Sequence, residues 1–169
     1  NHKDVKIKIY QSNNVNNIYI KTPFSMKGTI TSEGFQKLST DKNGFFNTGD
    51  IGDYKDGILF IKGRTKDIVK KGGEILSLNF IENIALKNLN VSECAAVGKD
   101  DKLMGESIIL FIKFNEINII QEDIINLNDH LKQYLRPIEM PTKIIPVPII
   151  PKTSNNKPSK KTLLELYNF

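Results

Sequence analysis

The chain has 169 residues, 39% of them hydrophobic and 25% charged, with a formal net charge of +5. That balance suits a globular chain rather than a disordered or fibrous one, and the length allows one domain, or one domain with part of another. No apolar run reaches the roughly 20 residues of a spanning helix, no signal-peptide pattern opens the sequence, and the single Cys94 rules out an internal disulfide and suits a reducing, cytoplasmic setting.

The first residue is Asn1 rather than Met, as expected of a processed or excised piece. Val5–Ile9 and Ile18–Ile20 alternate with the period of half-buried strands, with a turn-rich stretch from Asn13 to Asn17 between them. A loop region with Gly28, Gly34 and Gly44 follows, and Asp56-Gly57 turns the chain into a strand at Ile58–Ile61. Residues 67–72 read as a short strand ending at Gly72-Gly73. Ser77 caps a helix whose apolar face is Leu78, Ile81, Ile84, Ala85 and Leu89. Cys94–Val97, stopped by Gly98, and Ser107–Phe114 are apolar strands. Ile120, Ile124, Leu127, Leu131 and Leu135 repeat at helical spacing until Pro137. Lys143–Val147 is a further strand, Pro151–Pro158 a polar loop, and Ser159–Tyr167 a short terminal helix. Strands and helices interleave from residue 67 onward, the pattern of a compact α+β domain. The expected division is 1–65, β-rich, and 66–169, mixed.

The basic residues gather at Lys62–Lys71 and Lys152–Lys161. Two short clusters suit two edges of an anionic site as readily as a nucleic-acid stripe. Against nucleic acid, the chain has no Trp, and its aromatic residues do not interleave with the basic clusters as stacking platforms do. His2 and His130 are too few and too separated for a metal site. Cys94 within its apolar strand reads as core, and Phe45, Phe46 and Phe60 read as packing rather than as a substrate pocket.

Three segments carry candidate chemistry. In Gly44-Phe45-Phe46-Asn47-Thr48-Gly49-Asp50, a carboxylate after a Thr-Gly turn can accept hydrogen bonds from two vicinal hydroxyls, as on a ribose. In Gly63-Arg64-Thr65-Lys66-Asp67, continuing through Lys70 to Gly72-Gly73-Glu74, Arg64 offers a fixed fork of donors and the glycines allow a sharp turn or close approach of backbone to a ligand. In Pro151-Lys152-Thr153-Ser154-Asn155-Asn156-Lys157-Pro158, a loop Lys can reach into a site and neutralise charge on a transferring phosphate. Alone, these read as a surface turn, a charged hairpin and a solvated basic tail.

Their order and intervals change that reading. Together they resemble the C-terminal motifs of the acyl-activating superfamily, which includes acyl-CoA synthetases, firefly luciferase and nonribosomal peptide adenylation domains. Ile18 to Gly28 looks like the strand leading to "GP..M.GY", and Thr48-Gly49-Asp50 like "TGD". Gly63-Arg64-Thr65-Lys66-Asp67 with Gly72-Gly73-Glu74 is close to "GR.KD…GGE", the most specific match. Val97-Gly98-Lys99-Asp100-Asp101 with Gly105-Glu106 looks like "VG.PD…GE", and Pro151-Lys152-Thr153-Ser154 with Lys157 like "P.T..GK".

The resemblance implies the end of a large domain's β-barrel subdomain followed by a mobile C-terminal α+β domain. It also implies an AMP-forming ligase that joins a carboxylic acid to a thiol through an acyl-adenylate. On that resemblance Asp50 and Arg64 would bind the ATP ribose, Lys66 would be the hinge and Lys157 the adenylation lysine. Lys70, Gly72 and Gly73 would face the thiol's pantetheine arm. ATP with Mg2+, held mainly by the upstream domain, and coenzyme A are the implied co-substrates. A carrier-protein phosphopantetheine is the alternative thiol, and a catalytically weak homologue used for binding is the alternative role. The phosphate loop and acyl pocket lie upstream in the family, so the chain alone is not expected to catalyse the reaction. The chain departs from the pattern at Asn156, where Gly is usual, and at Pro158. Lys160 stands where Arg is common, Ile138-Glu139 replaces an aromatic–Lys pair, and Ile75 and Leu78 replace an Asn and a Pro.

Overall fold

Strand alternation organises the first third of the chain. In the computed structural model, which describes residues 4–12, 15–116 and 121–168, β1 (Lys6–Ser12) and β2 (Val15–Lys21) pair antiparallel, with Ile9 opposite Ile18. They continue into β5 (Phe46–Lys55) and β6 (Ile58–Arg64), giving an antiparallel sheet of order β1-β2-β5-β6. Between β2 and β5 the expected loop is instead a hairpin of β3 (Gly28–Thr31) and β4 (Gly34–Lys37). The expected turn at Asn13–Asn17 is also narrower, because Asn16 and Asn17 lie within β2, while Asn13 and Asn14, like His2, fall outside the described residues. Asn17 is buried, and its amide donates to the Val15 carbonyl at 3.1 Å, so the polar side chain is satisfied inside the strand. Asp56 and Gly57 both have positive φ (51° and 79°), the conformation that a two-residue hairpin turn requires.

The chain divides into two units, Asn1–Lys66 and Asp67–Phe169. The second is built on β10 (Gly105–Phe114). This strand pairs antiparallel with β9 (Val91–Asp101) and parallel with β11 (Lys143–Pro146), and meets β7 (Ile68–Lys71) at Gly105 opposite Lys71. β8 (Glu74–Ser77) pairs with β7 and completes a five-stranded sheet. The strand expected to stop at Gly98 runs on to Asp101, because Gly98 pairs with Ile108 in the β9–β10 ladder.

β10 is apolar on both faces. Ile108, Leu110, Ile112 and Phe114 join one core, with Val69, Leu76 and residues of α1 (Leu78–Ala85) and α2 (Gln121–Tyr134). Ile109 and Phe111 join the other, with Val147, Ile150 and Leu163 of α3 (Lys160–Leu166). Ser77 caps α1 by accepting from the Phe80 amide at 3.3 Å. Leu78, Ile81, Ile84 and Ala85 are buried as the periodicity predicts, but Leu89 is 92% exposed because the helix ends before it. Ile120 lies outside the described residues; in the second helical period Leu127, Leu131 and Leu135 reach the core. Phe45 is buried, whereas Phe60, expected to pack, is 52% exposed. His130 sits with Nε2 3.0 Å from the Ile84 carbonyl, joining α2 to α1.

Leu110→Ala removes a fully buried side chain from the central strand and should cost about 2–5 kcal/mol. Urea denaturation followed by far-UV circular dichroism checks this; a midpoint unchanged from wild type would contradict the assignment of β10 as the core strand.

Candidate functional site

The first group of candidate residues lies in the Asn1–Lys66 unit. Gly49 has φ +74°, which lets β5 turn out of register just before Asp50. The turn is pinned by its own polar side chains. The Gly49 amide donates to Asn47 Oδ1 at 2.8 Å and the Asp50 amide to Thr48 Oγ1 at 3.1 Å, while Thr48 Oγ1 donates to the Ile18 carbonyl at 2.9 Å. Asp50 stands opposite Arg64 across the β5–β6 ladder, and Arg64 Nε donates to Asp50 Oδ1 at 2.8 Å. The carboxylate thus has a fixed orientation yet stays 29% exposed, accessible to a diol. Gly52 completes the support: a Cβ there would collide with the Phe60 carbonyl, so only glycine lets β6 approach so closely. Lys66 is exposed in a 3-10 turn, Thr65–Asp67, and is the last residue of its unit. A hollow of about 410 Å³ beside the β3–β4 hairpin is lined by Met26, Lys27, Phe35 and Lys37 among others, and by none of Asp50, Arg64 or Lys66.

The second group lies in the Asp67–Phe169 unit. Gly72 and Gly73 have φ of 57° and 81° and join β7 to β8 by a two-residue turn. The turn is held from below. The Gly72 amide donates to the Met104 carbonyl at 2.8 Å, Lys71 Nζ donates to the Met140 carbonyl at 2.9 Å, and Arg136 pairs with Glu74 at 2.7 Å and Glu139 at 3.2 Å. Burial holds the buried Lys71 ammonium below its ordinary range, with Asp101 pulling the other way. Asp101 is itself held low by the Met104 and Leu103 amides. Lys70 gives its amide to Glu106 Oε2 at 2.6 Å and leaves its side chain exposed.

The loop around Lys157 is closed on itself. The Ser159 amide donates to the Pro151 carbonyl at 2.7 Å, Lys152 and Pro158 form an isolated bridge, and the Thr153 amide donates to the Lys157 carbonyl at 2.8 Å. Asn156 takes φ 59°. Asn is the non-glycine residue best suited to that left-handed region, so it can stand at a position where Gly is usual. Lys152 pairs with Glu93 at 2.8 Å, and Lys160 lies between Asp67 (3.5 Å) and Glu82 (3.2 Å). Lys157, between them, is exposed and has no side-chain partner among the described residues. Glu93 is held below the usual carboxylate range by Lys113 and Lys152. This adds stability above its ordinary pKa that is lost as pH falls through the lowered value.

The structure thus brings Asp50 and Arg64 together in one unit, and in the other gathers Lys70, Gly72 and Gly73 on one hairpin. It does not bring Lys157 to that hairpin. Glu93, which anchors the Lys157 loop, and Asp101, beside the glycine turn, are eight steps apart on β9, or about 26 Å at 3.3 Å per residue. The pairings of Lys152 and Lys160 escaped sequence reasoning, because their carboxylate partners lie far away in the chain. Among the described residues no three His, Cys, Asp or Glu side chains gather to hold a metal ion, and no helix is long and apolar enough to cross a membrane.

Cys94 is buried, its thiol pushed up to about 12 by burial first and then by the Glu82 carboxylate. Roughly a thousandfold less thiolate than a free thiol follows. A disulfide reagent at pH 8 should therefore label the folded chain at least about a hundredfold more slowly than the urea-unfolded chain; equal rates would contradict the packing around Glu82.

Residues 81–157 match the AMP-binding enzyme C-terminal domain family. The chain is 31% identical over 149 residues to 2,3-dihydroxybenzoate-AMP ligase of Bacillus subtilis, covering 85% of this chain and 26% of that protein. It is 28% identical over 174 residues to a mitochondrial short-chain acyl-CoA synthetase family member of Rattus norvegicus, covering 98% of this chain and 25% of that protein. The crystal structure of ATP-bound MatB from Rhodopseudomonas palustris superposes with a TM-score of 0.72 at 25% identity, covering 97% of this chain and 34% of that one. The chain spans about a quarter of the length of the curated relatives it matches.

Proposed function

The chain belongs to the adenylate-forming, or acyl-activating, superfamily, and on that premise we propose that it is part of an ATP-dependent carboxylic acid–thiol ligase. The observation that carries this reading is a contrast among neighbouring lysines: Lys152 in the loop and Lys160 at the start of α3 are paired with carboxylates, whereas Lys157 between them is held out to solvent by a closed backbone. A cation presented in this way suits a reaction between two anions.

In the first half-reaction a substrate carboxylate oxygen attacks the α-phosphorus of ATP. A P–O bond forms, the bond to the bridging oxygen breaks, and pyrophosphate leaves. Lys157 lowers the barrier by neutralising charge on both partners as they meet. Asp50 accepts the ribose hydroxyls, kept in orientation by Arg64, which adds donors of its own. Mg2+ accompanies ATP and is assigned to residues outside this chain. In the second half-reaction a thiol attacks the acyl carbon and AMP leaves. Lys70 and the bare backbone of Gly72-Gly73 suit the passage of a pantetheine arm. Lys66, at the junction of the two units, is the hinge of the exchange between these states, so the domain division we propose is 1–65 and 66–169. The thiol is coenzyme A in this reading, with a carrier-protein phosphopantetheine as the alternative, and the setting is the reducing cytoplasm that the lone Cys94 suits.

The test is pyrophosphate release by the full-length protein against a panel of acetate, longer fatty acids, small dicarboxylates, hydroxybenzoates and the common amino acids. Lys157→Ala should cut acid-dependent release by about a hundredfold or more, and Asp50→Ala should raise the KM for ATP by roughly tenfold. Release that persists in a folded Lys157→Ala protein would sink the proposal. Acceptor tests with coenzyme A and with a phosphopantetheinylated carrier protein decide the thiol.

A further inference from the structure

The side chain of Lys160 is 29% exposed, but its nitrogen is shut off from solvent. It lies 3.2 Å from Glu82 Oε1 and 3.5 Å from Asp67 Oδ1, and makes no hydrogen bond of good geometry to either. It is therefore held by charge rather than by directed bonds. A charge removed from water is unfavourable unless it is paired, so this ammonium is committed to those two carboxylates. Glu82 is fixed in turn, because its Oε1 also accepts from the Ala96 amide at 2.8 Å.

We propose that Lys160 is the positioning residue for Lys157: by joining the start of α3 to Glu82 on α1 and to Asp67, it fixes the far foot of the loop that presents Lys157. The inference rests on the reading of Lys157 as the adenylation lysine. Little slack separates the two lysines. Pro158 has a restricted φ, and the Ser159 amide is tied to the Pro151 carbonyl at 2.7 Å. The near foot is pinned by Lys152 on Glu93, and the loop's flanks are rooted in the core by Ile150 and Leu163. Asp67 directly follows Lys66, so the same ion trio also ties the loop to the residue just past the proposed hinge. The loop then moves with its unit as one body. The glycine turn has separate supports, in Met104, Met140 and Arg136. Loss of Lys160 should therefore loosen adenylation and leave thiol transfer intact.

The test uses the full-length protein and the acid that gives the highest rate in the panel above. Lys160→Met should lower kcat for adenylation by roughly tenfold to a hundredfold, the scale of an ångström-sized misplacement, with the KM values for ATP and acid changed less. Transfer from the pre-formed acyl-adenylate of that acid to the thiol should change less than about twofold. Lys160→Arg, whose planar fork can meet both carboxylates, should restore most of the rate. Amide hydrogen exchange over residues 152–159 should quicken in Lys160→Met and recover in Lys160→Arg. Equal losses in both half-reactions, unchanged adenylation, or failure of Arg to rescue each overturn the proposal. If Lys160→Met does not fold, Asp67→Asn removes one of the two contacts and the same comparison decides. Adenylation that survives Lys157→Ala in the same assay overturns the reading of Lys157 itself, an outcome separate from any result at Lys160.

Discussion

Burial of β10 on both faces is the constraint on which the Asp67–Phe169 unit depends. A strand that alternated apolar and polar residues could hold helices on one side only. Because Ile108, Leu110 and Ile112 face one way and Ile109 and Phe111 the other, α1 and α2 are held on one face and α3 on the opposite one. The consequence for function is direct. α3 is only seven residues long, too short to be stable alone, and it exists because Leu163 is fully buried and Tyr167 packs 5.4 Å from the Phe111 ring. The start of α3 sets where Lys157 can stand. A loop residue with no core contact of its own is thus placed by a strand some fifty positions earlier in the sequence.

The positive charge follows a similar logic. A net +5 invites thoughts of a polyanion, but several basic residues of the two clusters and of β10 are paired within the fold. Lys62 faces Asp53, Arg64 faces Asp50, Lys113 and Lys152 share Glu93, and Lys160 lies between Asp67 and Glu82. Most of these pairs are partly exposed, so each adds little to stability. Their effect is to give orientation to the carboxylates and loops they touch. What remains outward near the candidate site is a few single lysines, which suits a small anionic ligand better than a long phosphate backbone.

Periodicity made much of this legible. The α+β class, the Ser77 cap, the apolar run of β10 and the glycine turn at residues 72–73 all follow from local patterns, because period and turn chemistry are local properties. Where tertiary pairing decides, the sequence was less informative. Gly98 looked like a terminator but is a ladder residue. The β3–β4 hairpin was hidden because neither strand alternates apolar and polar residues toward a core: Ile30 is 88% exposed and Phe35 64%. Leu89 completed an apolar stripe on paper, yet the chain leaves the helix before reaching it. In the candidate site, the resemblance puts Asp50 and Arg64 on one ribose, while their direct contact depends on the register of β5 against β6. Asn156 stands where Gly is usual, and only its φ shows that the position takes a left-handed conformation, which Asn can adopt.

Distance within the second unit bears on how its two candidate surfaces can work together. The anchor of the Lys157 loop and the glycine turn lie at opposite ends of the β9–β10 ribbon, and that ribbon is continuous, with all ten residues of β10 partnered in β9. Bending the ribbon to bring one end to the other would break a core that is buried on both sides. Under the proposed assignment, a reacting centre of ångström dimensions therefore cannot be served by both ends at once. The economical way for both to serve it is for the whole unit to change its placement while its interior stays fixed. A single flexible position at the junction is then enough, and Lys66, exposed in one turn of 3-10 helix where the first unit ends, is the position proposed for it. The rigidity of β10 and the mobility proposed at Lys66 are thus two requirements of one design, since a soft unit turning on a hinge would blur the position of both ends.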